Sequence, residues 1–186
     1  MPKIIISLTL LLCCMALPAA AENRAKALNL STMLGDQVFE GNQSLESSLF
    51  WGINLGYNFT ENWGIEGVYT QVDADAKGDS TSDTKVKTYH LDLLYHFMPT
   101  QKFVPYFATG LGAIDSNPDQ GQSRNHLLFN YGVGVKYFIL DDLIALRADI
   151  RHLIDCPEPD NNLQYSAGLT FQLGRPKGYK KPIIKQ

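Results

Sequence analysis

Cysteine is nearly absent from this chain. There are three, and Cys13 and Cys14 fall in an apolar leader, so Cys156 has no partner in the remainder. A single thiol excludes a disulfide framework, and the stability of an exported domain must then come from elsewhere. Long apolar runs are missing too. Beyond the leader no stretch approaches 18 consecutive apolar residues, which excludes a membrane-spanning helix but not barrel strands, since those cross with only about 9 to 11 residues each. Basic charge is not in excess: 16 Lys and Arg stand against 19 Asp and Glu, for a formal charge of −3. That balance argues against a nucleic-acid partner. The four histidines lack metal-ligand spacing, and Gly110-Leu111-Gly112 and Gly132-Val133-Gly134 lie inside alternating segments rather than in a phosphate loop. No metal and no cofactor is expected.

The first residues are informative. Lys3 gives a basic start, Ile4 to Leu17 an apolar centre, and Ala19-Ala20-Ala21 a small-residue end before the polar Glu22-Asn23-Arg24. This is the pattern of a secretory signal peptide cleaved after Ala21. The apolar centre is too short for a spanning anchor, which needs roughly 20 residues. A lipoprotein site ahead of Cys13 would want a small residue where Leu12 stands. Removing 21 of the 186 residues leaves 165, one domain's worth, and takes only Lys3 among the charged residues, moving the formal charge from −3 to −4.

What fills those residues is alternation. Leu49, Trp51, Ile53, Leu55, Tyr57 and Phe59 share one face of an extended segment, with Phe50, Gly52, Asn54, Gly56 and Asn58 on the other. A period of two marks a strand with two chemically different faces. The pattern recurs over Tyr89 to Phe97, Leu127 to Tyr137, Ile144 to Arg151 and Leu163 to Leu173. Three weaker segments, about Leu28 to Leu34, Trp63 to Val72 and Phe103 to Ile114, bring the count to eight; in the last of them large residues occur on both faces and leave the orientation open. The predicted fold is all-β, an eight-stranded antiparallel up-and-down transmembrane barrel. An even strand number and full closure leave no unpaired edge in hydrocarbon.

Connections alternate in length. Thr60 to Asn62, Met98 to Lys102 and Leu140 to Asp142 are short, whereas Gly35 to Ser47, Asp73 to Asp83, Asp115 to Arg124 and Asp155 to Asn162 are longer and polar. Short periplasmic turns and longer outer loops follow this order, which puts both mature termini in the periplasm. The competing soluble barrel of lipocalin type would carry its large apolar residues inside. Here the face with small and polar residues suits a narrow lumen, and the aromatics near the short turns (Tyr57, Phe59, Trp63, Tyr95, Phe97, Phe103, Tyr137) suit an interfacial girdle.

Three stretches, Leu55-Gly56-Tyr57-Asn58-Phe59-Thr60-Glu61-Asn62-Trp63-Gly64, His90-Leu91-Asp92-Leu93-Leu94-Tyr95-His96-Phe97 and Leu146-Arg147-Ala148-Asp149-Ile150-Arg151-His152, resemble in order and spacing the OmpA and OmpX family of Gram-negative outer-membrane barrels. The resemblance covers nearly all of residues 27 to 174. It implies a barrel over 22–174, outer-membrane lipid as surroundings, and periplasmic chaperones and the barrel assembly machinery as partners in biogenesis. Ser166, Gly168, Phe171 and Leu173 resemble the terminal-strand signal that this machinery reads, although Leu173 stands where Phe is usual and a tail follows. Larger relatives continue into a peptidoglycan-binding domain. The basic tail 175–186 is too short for one, and reads as a solvated periplasmic end or as a weak electrostatic contact with peptidoglycan or anionic headgroups.

The inward faces carry charge: Glu66, Asp92 and Asp149 beside Lys136, Arg147 and Arg151. Buried charges must be paired. Glu66 on the third strand and Arg147 and Arg151 on the seventh should face one another across the lumen. The resemblance implies that such a network plugs the barrel or rearranges into a narrow ion path. His90 and His96 fall on the same inward face. Ser123, His126, His152 and Asp155 fall near the outer rim, where an acyl-transfer site would need nucleophile and base within hydrogen-bond reach, and spacing alone does not bring them together. The sequence therefore points to a non-enzymatic envelope protein with at most a narrow pore. The alternatives are recognition or adhesion through the outer loops and, further off, a lipid-modifying barrel enzyme.

Overall fold

The computed structural model describes residues 22–38, 48–76, 79–118, 124–140, 142–156 and 161–174; the leader and the basic tail lie outside the described residues. Eight strands follow one another: β1 (Ala27–Val38), β2 (Ser48–Asn58), β3 (Trp63–Ala76), β4 (Asp79–His96), β5 (Phe103–Pro118), β6 (Arg124–Leu140), β7 (Ile144–Asp155) and β8 (Asn161–Leu173). Each pairs antiparallel with its neighbours, and β1 pairs β8 from Leu28↔Leu173 to Val38↔Leu163, which closes the barrel. The expected fold class is the observed one.

Alternation sets the two faces. Leu30, Leu34, Leu49, Trp51, Leu55, Leu91, Leu111, Val133, Ile150 and Leu169 point out and stay exposed, an arrangement that only an apolar solvent tolerates over so many residues. Aromatic rings cluster at the short-turn end, with Tyr57 on Phe59 (5.5 Å), Trp63 on Tyr95 (4.8 Å) and Tyr95 on Phe97 (5.0 Å). A second group, Trp51, Tyr69 and Tyr89, sits further along the outer face.

The short turns fold through local chemistry. Thr60 Oγ1 accepts from the backbone N–H groups of Asn62 (3.2 Å) and Trp63 (2.9 Å), the hydroxyl turn that threonine favours. Leu143 N–H donates to Leu140 O (2.9 Å), closing the β6–β7 turn.

Two expectations are corrected. Strands continue into stretches read from sequence as loops: β3 runs to Ala76 and β4 starts at Asp79, β5 runs to Pro118, and β6 starts at Arg124. Hairpin pairing satisfies backbone N–H and C=O groups whatever the side chains are, so strand continues where the contrast between faces has faded. The undecided faces of β5 also resolve. Val104, Tyr106, Ala108 and Ile114 point inward, and Phe107 and Leu111 outward.

Candidate functional site

Register sets an acidic wall on β3 and β4 against a mainly basic one on β6 and β7, which also carries Asp149. Glu66 lies directly opposite Asp92 across the β3–β4 pair, and Lys136 opposite Arg147 across β6–β7. Like charges side by side repel. Compensation comes in part from Asp149, beside the two arginines on β7, and otherwise from across the barrel, where the two walls face each other. Room for the long side chains is made laterally by glycine: Gly56 neighbours Glu66, Gly110 neighbours Asp92, Gly132 neighbours Arg151 and Gly168 neighbours Arg147.

Arg147 is the hub. Its two terminal nitrogens fork onto Glu66 at 2.6 and 2.8 Å, its Nε donates to Asp149 Oδ2 at 2.7 Å, and one Nη reaches Ser31 Oγ at 3.3 Å. Bidentate, charge-assisted pairs of this kind are the strong ones. Arg151 binds Asp92, lies 3.4 Å from Asp149 and 3.6 Å from Glu66, and donates to Asn130 Oδ1 at 3.3 Å. The acids have further partners: Asn54 donates to Glu66 (3.2 Å), Tyr106 hydroxyl to Asp149, Asn130 to Asp92 (2.8 Å), and His90 Nδ1 lies 2.7 Å from Asp92. Five of the six charged residues named from sequence thus meet in one network. Lys136 stands apart. Its ammonium is 3.1 Å from His96 Nε2 and 5.6 Å from the Tyr106 ring centroid, with no carboxylate at ion-pair distance among the described residues.

Apolar clusters flank the network. Towards the long-loop end Phe50, Val72, Val86 and Ile114 form one on β2 to β5, with the hydrogen-bonded amides of Gln37 and Gln164 on the β1 and β8 side, and towards the short turns Val104, Phe138 and Ala145 form another on β5 to β7. The inward face is thus less polar than its alternation implied, because a few large apolar residues interrupt it. Within the charged layer a cavity of about 20 Å³, lined by Asn54, Thr70, His90, Asp149, Arg151 and Ser166 among others, is the size of one water molecule rather than a solute.

At the long-loop end His126 Nδ1 meets Asp155 at 2.7 Å and ties β6 to β7. His152 does not join them; it faces outward against Tyr131, with its Nδ1 2.8 Å from the hydroxyl. Ser123 lies outside the described residues. Among the described residues no cluster of His, Cys, Asp or Glu could hold a metal. On β8, Ser166 and Gly168 pair with Gly35 and Met33, and the exposed Phe171 and Leu173 pair with Leu30 and Leu28 along the closing seam. Tyr106, Asn54 and Asn130 escaped the sequence reading as site residues. The asparagines sat on a recognisable polar face, whereas Tyr106 lay on the strand whose faces were undecided.

A closed antiparallel barrel with an apolar belt and a filled, charge-paired lumen defines a small membrane-embedded β-barrel. The chain belongs to the outer membrane protein beta-barrel domain family, which it matches over residues 6–174. It is thus a bacterial outer-membrane barrel protein surrounded by lipid. Comparison with curated proteins gave no match. Among solved structures it is similar to Neisserial surface protein A (TM-score 0.66, 15% identity, covering 78% of this chain and 97% of that one). It is also similar to the N-terminal β-barrel domain of OprF from Pseudomonas aeruginosa (0.60, 15%, 80% and 98%). The attachment invasion locus protein Ail of Yersinia pestis is a third (0.60, 13%, 80% and 99%). At these identities the likeness establishes the fold.

Proposed function

We propose that this protein is a structural element of the outer membrane, a barrel whose lumen is filled and closed to ions, with both mature termini in the periplasm. The observation that carries the reading is the filled lumen. A path along the axis would have to pass between the apolar cluster of Phe50, Val72, Val86 and Ile114 and the bonded amides of Gln37 and Gln164, and then through the paired charges. An eight-stranded barrel leaves its interior to side chains. Breaking the Glu66–Arg147 pair alone therefore opens nothing. Biogenesis through periplasmic chaperones and the assembly machinery, read at Ser166, Gly168, Phe171 and Leu173, and a contact of the tail with peptidoglycan belong to the same proposal.

Two measurements test it. In planar bilayers, wild type and Glu66→Ala should both give no channel steps; sustained steps from wild type would overturn the closed-lumen reading. In cells lacking the protein, a barrel with exchanged outer loops should restore resistance to detergent. If it reaches the membrane and fails to do so, the loops carry the function, and recognition replaces structure as the reading.

A further inference from the structure

Residues 22–24 precede the first strand, yet they are built into the barrel. Asn23 is fully buried; its N–H donates to Pro99 O (2.7 Å) in the β4–β5 turn and its side-chain amide to Glu61 O (2.7 Å) in the β2–β3 turn. Arg24 Nε pairs with Asp142 Oδ2 (2.8 Å) in the β6–β7 turn. Asn58 from β2 donates to Asn23 Oδ1 (3.1 Å) and Arg24 O (3.0 Å), and Gln172 from β8 donates to Glu22 O (3.0 Å). Three residues thus bridge all three short turns and the last strand, and they form a cap across that mouth. Lys26, where the chain turns into β1, has a φ of 55°. That left-handed conformation is unfavourable for a non-glycine residue, and the Lys26 N–H donates to Asn58 O (2.7 Å) within the cap.

The nitrogen of Glu22 lies 3.3 Å from Asp142 Oδ1, beside the Arg24 guanidinium on the other carboxylate oxygen. We propose that Asp142 forms a socket for a primary ammonium, namely the α-amino group of Glu22 that exists only once the leader has been cut away after Ala21, while Gln172 holds the Glu22 carbonyl beside it. The inference rests on the leader and on the periplasmic placement of this end. Hydrolysis of the Ala21–Glu22 amide consumes one water, leaves a carboxylate on Ala21, and leaves an amine on Glu22 that takes up a proton near neutral pH. A neutral amide with one N–H becomes a cation with three donors, and its contact with the largely buried Asp142 becomes a charge-assisted pair. Processing then tightens the cap. Maturation of the chain and closure of the periplasmic mouth become one event.

The test uses the full mature chain refolded in phospholipid vesicles, in three forms: starting at Glu22, starting at Glu22 with an acetylated N-terminus, and retaining Ala19-Ala20-Ala21. Each is made with Asp142 and with Asp142→Asn, and a gel shift selects closed barrels. Hydrogen exchange of the Asn23 amide is the readout. Acetylation or extension should speed exchange by about tenfold, the scale of one charge-assisted hydrogen bond. On the Asp142→Asn background the same changes should matter less than about twofold, because contacting groups are not additive. Equal protection of the free and acetylated chains overturns the proposal. So does an effect that persists undiminished in Asp142→Asn, or an exported protein whose first residue is not Glu22. None of these results bears on conductance, so the closed-lumen reading stands or falls separately.

Discussion

Removing Glu66 is the perturbation whose consequence the geometry specifies most fully. Glu66→Ala deletes two charge-assisted bonds to Arg147, one from Asn54, and the 3.6 Å contact with Arg151. Arg147 keeps only Asp149 as an acidic partner, and Asp149 already serves Arg151 and Tyr106. Taking one partner from a buried pair costs about 3 to 5 kcal/mol, because the survivor stays desolvated and uncompensated. Glu66→Gln keeps the volume and one acceptor, so its cost should fall to about 2 kcal/mol. Glu66→Leu combined with Arg147→Met should recover most of the loss, since an apolar pair of similar volume removes the desolvation along with the attraction. Urea unfolding of the barrel in vesicles reports each value through Trp51 and Trp63, which both lie on the lipid face. A double-mutant cycle of Glu66→Ala and Arg147→Ala isolates the pair. Coupling below about 0.5 kcal/mol would refute the argument, because residues in contact should couple by at least that much.

Two other substitutions probe the outside of the barrel and its packing. Leu91→Arg places a cation on the lipid face where Leu91 is 57% exposed; it should cost about 2 to 4 kcal/mol in vesicles near the bilayer midplane, and a cost near zero there would speak for an aqueous exterior. Gly132→Ala would drive a Cβ into the Ile150 carbonyl oxygen and to within 2.9 Å of Arg151 Cα and Cδ, and should destabilise by about 1 to 3 kcal/mol, whereas Gly56→Ala meets nothing closer than 3.3 Å and should stay within about 1 kcal/mol. Equal urea midpoints for the two variants would dismiss the close approach of β7 that glycine permits at position 132.

The barrel was legible because lipid and lumen impose opposite demands on alternate residues. Leu49 to Phe59 states that contrast in eleven residues, and β2 repeats it as outward and inward faces. The meeting of Glu66 with Arg147 could be reasoned from strand count alone, since β3 and β7 lie opposite in a ring of eight. Where the contrast weakens, the reading weakens with it. On β5 the inward Tyr106 is as large as its outward neighbours Pro105 and Phe107, so period two carries no sign. Asp73 to Asp83 has no large apolar residue at either set of alternate positions, and backbone pairing across β3 and β4 leaves no trace in composition. The cap was invisible for another reason. Asn23 and Arg24 act through single contacts with turns distant in sequence, and no local pattern encodes such contacts.

The placement of like charges side by side bears on how the barrel can form. The β3–β4 hairpin presents Glu66 next to Asp92, and the β6–β7 hairpin presents Lys136 next to Arg147. In an open sheet the β6–β7 hairpin would have only Asp149 to offset Lys136, Arg147 and Arg151, and the β3–β4 acids would lack both arginines. Only when β1 meets β8 do the two walls come within reach of each other. An unclosed sheet would leave the Glu66–Arg147 and Asp92–Arg151 pairs unmade, so the charges that look like a burden on the finished barrel add a penalty against leaving it unfinished.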